Sequence, residues 1–255
     1  MSLIPIIANH GVKITVVDPL SKDPADYEGQ LGYDDSTDKM YLSRYVFHNV
    51  GLDYIDLGRP SWISKLDCGK PYVIRFISKQ NTAGYGAVIG LADSANPLEQ
   101  QLNILYSPNT GKFITNIQGN QSGQFTANTT LGEFSCILIE INSYIDRADV
   151  YVNGIRKLLL DVSAVSYNAT SNLYIGGSYS SGAGDNLEGD VACVEFYEGI
   201  TGGGSISGLT LIERFTLDQS TGTSIVGQNG TIGTLTDGAP VDAWSLEWVQ
   251  QGGKC

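Results

Sequence analysis

The chain has little charge, and what it has is mostly acidic. Only 16% of its 255 residues are charged, and 15 Lys and Arg stand against 27 Asp and Glu, for a formal net charge of −12. A protein that wraps a nucleic acid backbone needs a basic stripe, and none is visible, so nucleic acid is excluded as a partner. Histidine is rarer still, with only His10 and His48. The four cysteines, Cys68, Cys136, Cys193 and Cys255, form no CxxC pair, so a zinc site has too few ligands. No apolar run approaches the roughly 20 residues of a membrane helix, which argues against membrane insertion. The first residues, MSLIPIIANHGVKITVV, have no basic start and no small-residue cleavage pattern, and so do not read as a signal peptide.

Gly and Tyr are abundant, at 31 and 14 residues, and 42% of the chain is hydrophobic. That is too much apolar material for a disordered chain. Many turn residues with few charged faces suit short strands joined by tight connections. A chain of this length can bury a full core without help from disulfides or metals. Cys136, in FSCILIEI, and Cys193, in VACVEFY, lie in apolar runs and read as buried thiols in core strands, with a disulfide left open.

Residues 1–43 differ in character from the rest of the chain. They hold a short apolar strand at 12–17, a polar turn-rich stretch, and then GQLGYDDSTDKMYLS. The last segment is two strand patterns joined by a loop longer than the minimal two residues. It has too little apolar surface for a core of its own, so it reads as an arm that docks or oligomerises. Residues 44–255 form the body. YVIRFIS at 72–78 is apolar enough for a strand buried on both faces. In 134–141, Ile137, Ile139 and Ile141 share one face while Phe134, Cys136 and Leu138 share the other. In DVYVNGIRKLLL, Asn153-Gly154 supplies the positive φ angles of a type I′ hairpin turn. No amphipathic helix of three turns is evident. The pattern predicts an all-β sandwich or barrel.

Four segments then carry a resemblance. DYIDLG at 53–58 with PYVIRFISK, the FSCILIEINSYIDRADVYVNGIRK stretch, LYIGGS, and LEGDVACVEFYEG resemble, in order, the strands of concanavalin A-like (laminin-G-like) domains over roughly residues 45–200. LIERFTLDQSTGTSIVGQNGTIGTLTDGAPVDAW is similar to the segment that usually opens such domains, but here it comes last. The resemblance implies a concanavalin A-like jelly-roll sandwich, with the C-terminal segment closing it from the other end. The residues at 29–34 and 39–42, GQLGYD and KMYL, resemble a short hairpin of bacteriophage tail and fibre proteins. Together these imply a non-enzymatic virion component: a fibre, tail or capsid-decoration protein. Its arm would dock on other virion proteins or build a homo-oligomer, and its sandwich would meet host-surface glycans. The alternatives are the carbohydrate-binding module of an extracellular, secreted protein and, further off, a glycoside hydrolase.

The chemistry visible in the sequence is sparse. Glycosidases need two carboxylates flanking the scissile bond. The nearest pair is Glu188 and Asp190, but Ala192 occupies the next position on that face, and the pair reads as a solvated strand start. Neither His10 nor His48 has a nucleophile motif nearby. No cofactor is required. Calcium is the one ion the loops suit, through Asp185, Asn186 and Glu188, because hard cations take oxygen ligands from flexible loops. For a glycan, Tyr85 and Tyr179 would stack on a sugar face, with Asp185 and Asn186 binding hydroxyls. Trp62, Trp244 and Trp248 read as core or interface plugs.

Overall fold

Strand-forming runs separated by Gly, Asn and Ser do fold as strands. The computed structural model describes residues 18–50, 53–66, 70–81, 86–93, 100–107, 112–117, 120–126, 132–142, 147–161, 171–177, 187–236 and 243–251. The predicted strand at 12–17 lies outside them. In chain order the strands are β1 (Leu31–Asp34), β2 (Lys39–Val50), β3 (Tyr54–Asp56), β4 (Tyr72–Gln80), β5 (Gly86–Asp93) and β6 (Gln100–Ser107). Next come β7 (Lys112–Ile117), β8 (Asn120–Thr126), β9 (Ser135–Asn142), β10 (Arg147–Val152), β11 (Ile155–Asp161) and β12 (Ser171–Ile175). The last are β13 (Glu188–Glu198), β14 (Thr210–Phe215), β15 (Ser224–Val226), β16 (Ile232–Thr236) and β17 (Trp244–Gln251). The helical content among the described residues is three short 3-10 turns, at Pro19–Ser21, Pro24–Tyr27 and Ile63–Leu66.

The chain divides into two compact units. The first holds Met1–Arg44 and Leu246–Gly252. Within it, β1 and the first half of β2 form an antiparallel hairpin, with Leu31 opposite Leu42 and Asp34 opposite Lys39. Asp34 shapes the loop: one carboxylate oxygen accepts from Ser36 N and Oγ, and the other accepts from the Thr37 hydroxyl. Tyr33 donates to Asp38 at 2.7 Å, and Asp38 itself adopts φ 56°. The Pro24–Tyr27 turn is capped by Asp23, which accepts from Ala25 N. Trp248 leans on Tyr27 with ring centroids 6.0 Å apart and donates through Nε1 to Lys22 O.

The second unit holds Tyr45–Ser245 and Gly253–Cys255. Its described strands lie in two antiparallel sheets. The first runs β2-β13-β4-β9-β10-β11, with β14 also pairing β13. The second runs β15-β16-β3-β12-β5-β6-β7-β8. The C-terminal stretch serves both sheets. β14 lies along β13, with Val194 opposite Phe215, while β16 lies along β3, with Leu235 opposite Ile55. The core between the sheets is built from Phe47, Ile55, Ile74, Phe76, Leu91, Phe196 and Phe215, all fully buried. Trp244 closes one side of it, edge-on to Phe47, and Trp62 packs on Phe196 at 5.0 Å. This is a jelly-roll sandwich, as the resemblance implied, where the strand pattern alone predicted a sandwich or barrel.

β4 and β9 are buried on both faces, for a physical reason beyond the main core. On the far side of the first sheet, Val73, Leu138, Tyr151 and Tyr197 form a second apolar cluster, covered by Ile200, Ile206, Leu209 and Leu211. The Gly-rich segment that carries these residues is pinned by the buried Glu140. Its Oε1 accepts from Thr201 N, Thr201 Oγ1 and Gly202 N at 2.9–3.2 Å. Gly204, at φ 68°, passes so close to Tyr151 that a Cβ would stand 2.4 Å from the ring. The Asn153-Gly154 turn is present as predicted, with φ 49° and 77° and Val152 opposite Ile155. One expectation about cysteine needs correcting. Cys193 is a buried free thiol, but Cys136 is disulfide-bonded, the outcome that its apolar run had left open.

Candidate functional site

Tyr85, Tyr179, Asp185 and Asn186, read from the sequence as ligand-binding residues, lie outside the described residues. Glu188, the third member of the calcium set with Asp185 and Asn186, is described. It opens β13, is half-buried, and accepts through its backbone carbonyl from Asn81 N at 3.0 Å. Since Gln80 stands opposite Gly189, the chain leaves β4 and enters β13 at neighbouring strand ends. Among the described residues, no group of three or more His, Cys, Asp and Glu side chains is placed to hold a metal ion.

Asp190, read as a solvated strand start, is instead fully buried. Its Oδ1 lies 2.5 Å from His48 Nδ1, and its Oδ2 takes Lys79 Nζ at 2.8 Å and Asn81 Nδ2 at 3.1 Å. The register explains the convergence, because His48, Asp190 and Lys79 are cross-strand neighbours on β2, β13 and β4. Gly189 makes it possible. A Cβ there would stand 2.2 Å from the Lys79 carbonyl oxygen, so a side chain would push the two strands apart. Burial raises the Asp190 pKa, but the hydrogen bond from His48 and the Lys79 charge outweigh it, and the net shift is downward. A carboxylate held ionised and out of solvent does not suit a general acid. Lys79 also lies over the Phe134 ring at 5.1 Å. Further along the same sheet, Glu195 is clamped between Arg75 and Arg214, each at 2.5 Å. Both clusters neutralise buried carboxylates and read as scaffolding.

A different surface has the make-up of a binding site. On the second sheet, Ile55, Leu173 and Ile175 point into the core, so Tyr54, Asp56, Asn172 and Tyr174 lie on the opposite face. Tyr54 and Tyr174 meet edge-to-face, with centroids 5.6 Å apart and planes at 81°. Tyr174 is buried and braces the half-buried Tyr54. Asp56 receives Gly58 N at 2.7 Å and the Asn172 amide at 3.5 Å, and stays partly open to solvent. Exposed Arg59 reaches back to Ser171 O at 3.3 Å. Exposed Thr234 and Thr236 stand opposite Asp56 and Tyr54 on β16. On the other side of Tyr174, Gly90 is its cross-strand partner on β5. The sequence holds the signal for this face. Polar and aromatic residues alternate with Ile and Leu in both DYID and SNLYI, but short strands do not announce which of those residues keep contact with solvent.

No protein-family model matches the chain, and no curated protein sequence matches it significantly. Solved structures do match. A Bacteroides ovatus protein to which carbohydrate binding is ascribed superposes with a TM-score of 0.58 at 13% identity, over 84% of this chain. The match spans 62% of that protein's own length. The native heptameric SAP-like pentraxin of Limulus polyphemus superposes with a TM-score of 0.50 at 12% identity, over 76% of this chain and 95% of its own. The fold is a concanavalin A-like jelly roll. At such identities the likeness concerns the backbone, since one sandwich hosts many activities.

Proposed function

We propose that this chain is a non-catalytic glycan-binding domain and that the Tyr54 face of its second sheet is where the glycan sits. The observation that carries this reading is the Tyr54–Tyr174 pair set between Asp56, Asn172 and Arg59. A sugar presents an apolar face ringed by hydroxyls. An aromatic ring meets the first, and planar carboxylate, amide and guanidinium groups meet the second. The carbohydrate binding ascribed to the Bacteroides ovatus structure supports the same class of ligand. The state of Asp190, buried, ionised and paired, supports a domain that binds rather than hydrolyses. The Cys136 disulfide suits an extracellular or virion-surface setting, where such bonds persist. A glycan array probed with the full chain tests the reading. Binding to one saccharide class that is lost in Tyr54→Ala is the expected result. An array with no binding above background would reject it.

The second reading places this glycan-binding domain on a virion. It rests on the likeness of the GQLGYD and KMYL hairpin to phage tail and fibre proteins, and on that hairpin belonging to a compact unit of its own. Light scattering of the full chain is its first test. A closed oligomer would favour display on a particle, and a monomer would favour a carbohydrate-binding module.

A further inference from the structure

The sequence contains two Asn-Gly pairs, Asn153-Gly154 and Asn229-Gly230. Asn-Gly is the dipeptide most open to spontaneous deamidation. Glycine puts no side chain in the way when its backbone nitrogen attacks the asparagine side-chain carbon. Three groups control the step: the attacking nitrogen, the departing amide, and the oxygen that takes up negative charge. The fold treats these groups in opposite ways at the two sites.

At Asn229, the attacking nitrogen and the departing amide are both engaged. Gly230 N donates to Gly227 O at 3.0 Å, and Asn229 Nδ2 donates to Ile212 O at 2.8 Å. Asn229 N is held by the fully buried Glu213 at 2.7 Å, which fixes the backbone of the turn. At Asn153, neither Gly154 N nor Asn153 Nδ2 has a hydrogen-bond partner among the described residues. The third group is the one that is held. Asn153 Oδ1 accepts from Cys136 N at 2.9 Å, and Asn153 N donates to Cys136 O at 2.8 Å. A backbone N–H aimed at the oxygen stabilises the charge that builds there when the carbonyl is attacked. Both residues of the turn are exposed, at the tip of the β10–β11 hairpin, where local opening costs least.

We propose that Asn153 is a site of spontaneous deamidation and isomerisation, while the fold protects Asn229. Gly154 N, having lost its proton, bonds to Asn153 Cγ. The Cγ–Nδ2 bond breaks, and the amide leaves as ammonia after taking up a proton. Water then opens the five-membered imide at either carbonyl to give aspartate or isoaspartate. Water is the only co-reactant. The isoaspartate product routes the main chain through Cβ, lengthens a two-residue turn by one atom and draws residue 153 away from Cys136. The modification is independent of any glycan.

Peptide mapping with isoaspartate detection tests this on the full chain aged at mildly alkaline pH, in native buffer and in denaturant. In native buffer, product accumulates at residue 153, and residue 229 lags by on the order of tenfold, because two hydrogen bonds must first break there. In denaturant the two sites react alike. Equal native rates, a faster reaction at Asn229, no product at Asn153, or a difference that survives denaturation would each overturn the proposal.

Discussion

Asp190 and His48, separated by 142 positions in the sequence, meet through Oδ1 and Nδ1 at 2.5 Å with the carboxylate fully buried. Asp190 also holds the ammonium of Lys79, whose side chain is 10% exposed. Removing the carboxylate takes from that poorly hydrated cation a buried counter-charge 2.8 Å away. Asp190→Asn is expected to destabilise the protein by about 3 to 5 kcal/mol, the cost of breaking a buried pair from one side. Urea unfolding of the two proteins measures it, and a loss below about 1 kcal/mol would show that Lys79 is satisfied without Asp190.

The same groups set the response to acid. The pKa of Asp190 is raised by burial and lowered further by His48 and Lys79. That of Glu195 is raised by burial and lowered further by Arg75 and Arg214. Both therefore lie below their unfolded values of roughly 4. A depressed folded pKa contributes stability that is fully present above the unfolded value and is lost as pH falls through the folded one. Unfolding free energy should be flat with respect to these groups above about pH 5 and fall below about pH 4. In Asp190→Asn the acid slope should be shallower, and an unchanged slope would remove Asp190 from the account.

Glu140 ties the Gly-rich segment across the far face of the first sheet by accepting from Thr201 and Gly202. Glu140→Ala leaves those donors without their acceptor and uncovers the cluster around Tyr151 and Tyr197. A loss of about 1 to 3 kcal/mol is expected. Hydrogen exchange should localise it, with faster exchange at residues 199–209 and little change in β5 or β12. Uniform acceleration across both sheets would contradict the local role.

Much of the second unit is legible in the sequence. The double-faced apolar runs of β4 and β9 and the Asn153-Gly154 turn are local patterns, and local patterns survive folding. Pairing partners are another matter. Nothing in LIERF and IGTLT says that one joins β13 and the other β3, because periodicity records which face is apolar but not who sits beside it. The burial of Asp190 is hidden for the same reason. A carboxylate between Gly189 and Val191 looks solvated until His48 and Lys79 arrive from distant strands. Tyr54 and Tyr174 are legible as alternation, yet their edge-to-face contact depends on a β3–β12 register that no spacing in the chain reveals.

Calcium stays a proposal for Asp185, Asn186 and Glu188. If these residues hold the ion, chelation lowers the melting temperature of the wild type and leaves Asp185→Ala unchanged, since a ligand that binds only the folded state stabilises it by mass action. Identical responses in the two proteins would remove the site.

The most direct test of the central claim is an NMR titration of the isotope-labelled chain with the saccharide class found on the array. The account predicts that backbone amides of Tyr54, Asp56, Asn172 and Tyr174 shift together along one saturating curve, while β9 and β10 stay still. Saturable shifts confined to β9, β10 and β13, or none at any residue with any saccharide, would contradict it.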